Sequence, residues 1–125
     1  MTVLFAPPDY WLLTKDQRAD ISNGCGTRGL LGLLVPDTVY FLSIKSACDI
    51  HDFMYAIGIT IKDKQEADRV FLNNMMRIID HETRWDWLKV LRLRRAKTYY
   101  QAVKNFGGLA FWSGKNAPEN KGGSA

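Results

Sequence analysis

Apolar positions recur at helical spacing over three stretches of the chain. In the first, over residues 43–58, Ala47, Ile50, Phe53, Met54 and Ile57 cover much of the circumference, while Cys48, His51, Asp52 and Tyr55 fall at i, i+3, i+4 and i+7 on one face. Ser43 or Ser46 can cap this helix and Gly58 can end it, which gives about 12 to 15 residues. The pattern predicts a largely buried helix whose polar face looks into a pocket. Thr60 or Asp63 opens a second long helix, with Ala67, Phe71, Leu72, Met75, Met76 and Ile79 as its apolar stripe. Asp68 lies within that stripe. A carboxylate on a buried face needs a donor, and His51 on the preceding antiparallel helix is the available one; the alternative is that Asp68 sits at the edge of the stripe and meets water. A third helix is expected over residues 82–105, with Trp85, Leu88, Val90, Leu91 and Leu93 inward and Arg84, Lys89, Arg92, Arg94, Arg95 and Lys97 mostly outward.

Between these stretches the chain is more interrupted. Residues 1–13 mix Pro7 and Pro8 with Phe5, Tyr10, Trp11, Leu12 and Leu13 and read as an aromatic arm, docked on the core or resting at a membrane interface. Thr14 with Gln17 three residues later opens a short helix through about Ile21. Residues 22–32 contain Gly24, Gly26, Gly29 and Gly32, a density that permits positive φ and inward-turned carbonyls. Such a loop is either an ordinary turn or, with a carboxylate from elsewhere, an oxygen cage of the type calcium takes. It lacks the Gly-Lys-Ser/Thr ending of a phosphate loop. Residues 33–40, with Pro36 and Asp37, read as a connector. After Gly107 and Gly108 the Leu-Ala-Phe-Trp segment is expected to fold back on the core, and the polar, Gly-rich residues 116–125 to be disordered.

With 125 residues, 46% of them hydrophobic and 24% charged, the chain suits an all-α single domain over residues 1–115. No run of about 18 apolar residues exists, so no spanning helix is expected; no basic-then-apolar leader is visible, and the compartment stays open. A net charge of +4 and a pI near 9.2 favour anionic partners, phospholipid surfaces and nucleic acid alike. The basic run of the third helix fits a solvated face first, an anionic membrane second and nucleic acid third, the last without a zinc finger or RNA-recognition signature behind it. Cys25 and Cys48 are either two free thiols or one bridge.

Three separated pieces, Asn-Gly-Cys-Gly-Thr-Arg-Gly at residues 23–29, Cys-Asp-Ile-His-Asp-Phe-Met-Tyr at 48–55 and Ala-Asp-Arg at 67–69, resemble the calcium loop, catalytic helix and opposing helix of phospholipase A2. The resemblance covers roughly half the chain, in the family's order. It implies a core of two antiparallel helices with a glycine-rich calcium loop and an additional C-terminal helix. It implies calcium held by the carbonyls of Gly24, Gly26 and Arg28 and the carboxylate of Asp52, with His51 as base, Asp68 as its orienter, Tyr55 as the tyrosine bonded to that Asp, and the Gly26 N–H as an oxyanion donor. It also implies a bridge between Cys25 and Cys48. Arg28 stands where the loop usually has glycine, the further disulfides of the secreted animal enzymes are missing, and no position matches the family's second active-site tyrosine. The chain is thus similar to a leaner bacterial, fungal or viral branch.

The function implied by the resemblance is calcium-dependent hydrolysis of the sn-2 ester of glycerophospholipids. No Ser or Cys stands at motif distance from His51 to form an acyl-enzyme, which leaves water as the nucleophile. Phe5, Tyr10, Trp11 and the basic helix are the interface candidates, and an anionic phospholipid surface the expected partner, with no nucleic acid. Two alternatives keep their place: a catalytically silent phospholipase-like lipid-binding or toxin component, and a basic helical domain binding nucleic acid or a partner, in which His51 and Asp68 are a satisfied core pair.

Overall fold

Two three-residue joints, at 58–60 and 83–85, fold the long helical stretches back on one another. The computed structural model describes residues 2–17, 35–112 and 115. In chain order the elements are α1 (Pro8–Leu12), β1 (Thr38–Val39), β2 (Leu42–Ser43), α2 (Lys45–Ile57), α3 (Ile61–Glu82), α4 (Asp86–Phe106) and α5 (Gly108–Trp112). The chain is therefore mostly helical, as its periodicity predicts. The glycine segment 22–32, most of the expected helix after Thr14, and residues 116–125 fall outside the described residues. At Thr14 itself the expected reciprocal cap is present: Gln17 N–H donates to Thr14 Oγ1 at 3.1 Å and Thr14 N–H to Gln17 Oε1 at 2.9 Å.

α3 is the spine. Its start is fixed by a capping box, in which Asp63 N–H donates to Thr60 Oγ1 at 3.1 Å and Thr60 N–H to Asp63 Oδ2 at 3.0 Å. α2 runs antiparallel to it, so that His51 meets Asp68 and Phe71 while Tyr55 meets Asp68 and Lys64. Ala47, Cys48, Ala67, Phe71, Met75 and Ile79 are fully buried between these helices and α4. The N-terminal segment lies along the other side of α3. Asn74, also fully buried, pairs its side-chain amide with the backbone of Phe5, accepting from N–H and donating to C=O at 2.8 Å each. Ala6 and Tyr10 then join Ile50, Phe53 and Val70 in a second apolar cluster. Tyr10 thus docks on the core, edge-on to Phe53 at 5.4 Å, and is no interface candidate, whereas Phe5 and Trp11 are about half exposed.

The end of the segment read as a connector, residues 33–40, forms the first strand of a small antiparallel hairpin that runs on to Ser43, with Thr38 opposite Ser43 and Val39 opposite Leu42. Its two-residue turn has positive φ at both Tyr40 (44°) and Phe41 (70°). Turns of this kind favour Asn-Gly, so Tyr-Phe gives no sequence signal for it. Contacts from α4 hold it instead. The Arg92 guanidinium donates to the Tyr40 carbonyl at 2.9 and 3.3 Å and to Thr83 Oγ1 at 2.9 Å. Arg95 donates to the Tyr40 hydroxyl at 2.8 Å, and the Tyr99 hydroxyl to the Thr38 carbonyl at 2.8 Å.

That docking corrects the expected orientation of the third helix. The face of α4 that turns inward carries Arg92, Ala96, Tyr99 and Val103, while Trp85 and Val90, expected inside, are about half exposed. The helix also starts at Asp86, with Trp85 as its N-cap. A smaller correction applies to α2, whose N-cap is Ile44; Ser43 contributes only a 3.2 Å acceptor for the Lys45 N–H, and Ser46 none. After α4 the chain folds back as expected. Phe111 is fully buried and meets Tyr55 edge-on at 5.2 Å. Among the described residues no helix is long and apolar enough to cross a membrane.

If Arg92 were on a solvated face, its truncation would change stability by under about 0.5 kcal/mol. As a buried clamp between hairpin and helix corner, Arg92→Ala is expected to cost about 2 kcal/mol or more, read as a lowered urea midpoint at unchanged slope.

Candidate functional site: the His51–Asp68 cluster

The four side chains at i, i+3, i+4 and i+7 on one face of α2 are buried together: Cys48, His51, Asp52 and Tyr55 are 0%, 1%, 8% and 4% exposed. The helical spacing puts them on one face, and the apolar neighbours close over it. Opposite them Asp68 is 2% exposed. An ionised carboxylate at that depth needs donors, and it has three. His51 Nε2 lies 2.8 Å and the Tyr55 hydroxyl 2.6 Å from Oδ1, and Lys64 Nζ lies 2.8 Å from Oδ2. Burial pushes the Asp68 carboxyl up, but the hydrogen bonds from His51, Lys64 and Tyr55 outweigh it and hold the group below the usual carboxylate range. Burial, followed by the neighbouring Asp68 charge, pushes the Tyr55 phenol far above its ordinary value, so it stays a donor.

These donors settle which proton His51 carries. An ionised carboxylate only accepts, so Nε2 holds the hydrogen and Nδ1 of the neutral ring is a bare lone pair. Nδ1 is buried and has no hydrogen-bond partner among the described residues. The ring is fixed on both sides, with its centroid 4.1 Å from that of Tyr55 and 4.6 Å from that of Phe71. The arrangement can hold a proton acceptor in one orientation and stabilise the charge it gains on accepting.

Lys64 was missed by the sequence reading. It lies four residues before Asp68 on the same face of α3, a spacing that could have revealed the pair, and it is 2% exposed. It holds Oδ2, the carboxylate oxygen opposite the one bound by His51 and Tyr55. A cleft of about 420 Å³ between α3 and α4 opens beside this pair, lined by Lys64, Asp68, Arg69, Tyr100, Lys104 and Asn105 among others. His51 is not among its lining residues.

Of the remaining expected site residues, Asp52 follows His51 directly on α2. Gly24, Gly26, Arg28 and Cys25 lie outside the described residues. Cys48 is disulfide-bonded. Among the described residues no cluster of three or more His, Cys, Asp or Glu side chains is placed to hold a metal. The one described residue that the resemblance assigns to calcium, Asp52, is a buried hard oxygen donor of the type that ion takes.

Comparison with protein-family models, curated proteins and solved structures found no match to the chain.

The lowered carboxyl of Asp68 has a consequence in acid. Its stabilising contribution is present above the unfolded-state value of about pH 4 and is lost as pH falls through the still lower folded value. The unfolding free energy of the parent is therefore expected to fall more steeply below about pH 4 than that of Asp68→Asn, measured by urea titration across the acid range.

Proposed function

We propose that the protein is a calcium-dependent hydrolase of the sn-2 ester of glycerophospholipids, with a phospholipase A2-like core formed by α2 and α3. The observation that carries this reading is the asymmetry of His51, with one ring nitrogen bound to Asp68 and the other buried without a partner among the described residues. A histidine serving only as a core filler is expected to satisfy both nitrogens, so the orphaned Nδ1 favours a base over a packed pair. The resemblance in the three motifs supports the same assignment.

In the proposed reaction a water lies against Nδ1 and attacks the ester carbonyl as its proton passes to His51. A carbon–oxygen bond forms, and the negative charge develops on the former carbonyl oxygen. When that intermediate collapses, the sn-2 carbon–oxygen bond breaks and the imidazolium returns the proton to the departing glycerol oxygen, yielding a lysophospholipid and a fatty acid. Asp68 keeps the Nε2 proton in place and stabilises the imidazolium. Tyr55 holds the same carboxylate oxygen. The carbonyls of Gly24, Gly26 and Arg28 with Asp52 would hold calcium, which when bound polarises the ester and holds the phosphate; the Gly26 N–H would add an oxyanion donor. Half-exposed Phe5 and Trp11, with exposed Arg84 of the preceding joint and Arg94 and Lys97 of α4, suit contact with an anionic lipid surface.

The decisive assay offers phosphatidylglycerol vesicles with a labelled sn-2 chain. Release of label is expected with calcium, loss of release with excess chelator, and no rescue by magnesium; undiminished release in chelator would remove the calcium mechanism. Calcium and vesicle binding without release would favour the silent lipid-binding alternative. Asp68→Asn is expected to lower turnover per folded molecule by about 10³-fold or more with calcium affinity nearly unchanged, whereas Asp52→Asn lowers calcium affinity and turnover together. Parental turnover in folded Asp68→Asn would withdraw Asp68 as orienter.

A further inference from the structure

Lys64 has no part in the proposed reaction, yet among the described residues it is a more deeply buried cation than Arg92, at 2% against 9% exposed. An ammonium has three donors. All three are used: Asp68 Oδ2 at 2.8 Å, the Val103 carbonyl at 3.1 Å and the Lys104 carbonyl at 3.3 Å. The two carbonyls belong to the last turn of α4, at the negative end of the helix dipole, and the Val103 carbonyl also accepts from the Gly107 N–H at 2.9 Å. A single side chain thus caps one helix from outside and grips the carboxylate facing His51.

The grip has two effects on the cluster. Bonds to one oxygen alone would leave the carboxylate plane free to turn about its Cβ–Cγ bond, whereas His51 and Tyr55 on Oδ1 with Lys64 on Oδ2 fix that plane. The positive charge also balances that of Asp68, so these two charges cancel within the hydrogen-bonded set of His51, Tyr55, Lys64 and Asp68. From this geometry we infer that Lys64 is a positioning residue of the hydrolytic site, aiming Asp68 at His51 and making that aim depend on the seating of the C-terminal end of α4. The inference rests on the proposed hydrolysis for its consequence and on the three contacts for its geometry.

A mutant cycle tests it, using Lys64→Met, Asp68→Asn and the pair combined, with kcat and KM measured on calcium-containing vesicles and corrected for folded fraction by circular dichroism. Lys64→Met is expected to lower kcat about 10- to 100-fold with KM and calcium affinity changed less than about twofold. In the Asp68→Asn background the same substitution is expected to add less than about twofold, because its effect passes through that carboxylate. A purely structural lysine would give equal factors in both backgrounds, and that result, or parental kcat in Lys64→Met, would overturn the inference. A second readout needs no turnover: by NMR, the Nε2 proton of His51 is expected to exchange with water at least about tenfold faster in Lys64→Met. If the parent hydrolyses no lipid, the proposed reaction falls while this comparison still decides Lys64, unchanged exchange counting against it. Should Lys64→Met fail to fold, Lys64→Gln, which keeps a donor without the charge, carries both readouts under the same criteria.

Discussion

An ionised carboxylate inside the protein is the constraint on which the rest of the structure depends. Asp68 is tolerable at its depth because donors from both α2 and α3 converge on it, and one of those donors reaches on to α4. Removing one partner of such a buried pair leaves a charge stranded, at a cost of about 3–5 kcal/mol in comparable cases. The backbone around it is bound by the same need. At Gly107 a Cβ would lie 2.5 Å from the Tyr55 hydroxyl, so a glycine at the α4–α5 corner lets the chain close over Tyr55 without lifting its oxygen from Asp68. Apolar packing and polar satisfaction are therefore one problem here, solved at three helices at once.

The outer parts of the molecule are held by single polar side chains that stand in for backbone partners. Asn74 offers Phe5 the pair of bonds a neighbouring strand would give, and Thr2 continues along the same helix to Glu82 at 2.9 Å. Arg92 does similar work for the hairpin, whose turn residues adopt a left-handed backbone that side-chain-bearing residues disfavour. In both places α3 or α4 supplies a rigid edge, and the irregular segment takes its shape from that edge.

This division explains what the amino-acid sequence discloses. The start of α3, the partner of Asp68 and the return of Phe111 are legible because each follows from local spacing: a capping pair, an apolar stripe, a carboxylate that must be satisfied. The hairpin is not, since Tyr40 and Phe41 are poor turn formers held from 52 and 55 residues away by Arg92 and Arg95. The face of α4 is misread for the same reason. Counting Arg as outward and Trp as inward fails where a guanidinium satisfies a carbonyl and indole rings stack on each other at the surface, as Trp85 and Trp87 do with centroids 6.4 Å apart. Lys64 was hidden by the habit of reading lysine as solvated, though its place one turn from Asp68 was in plain view.

The contacts of Lys64 also bear on the order in which the protein assembles. His51 and Tyr55 are 17 and 13 residues from Asp68, so closing the α2–α3 hairpin brings them together over a short loop. The α4 carbonyls that Lys64 needs are 39 and 40 residues away. Until they arrive, the lysine end of the cluster can remain in water while already paired within its own helix to Asp68. Sequence separation therefore lets the ionic pair form while it is still solvated and defers its dehydration to the docking of the last long helix, when Ala96, Tyr99 and Val103 are buried alongside it.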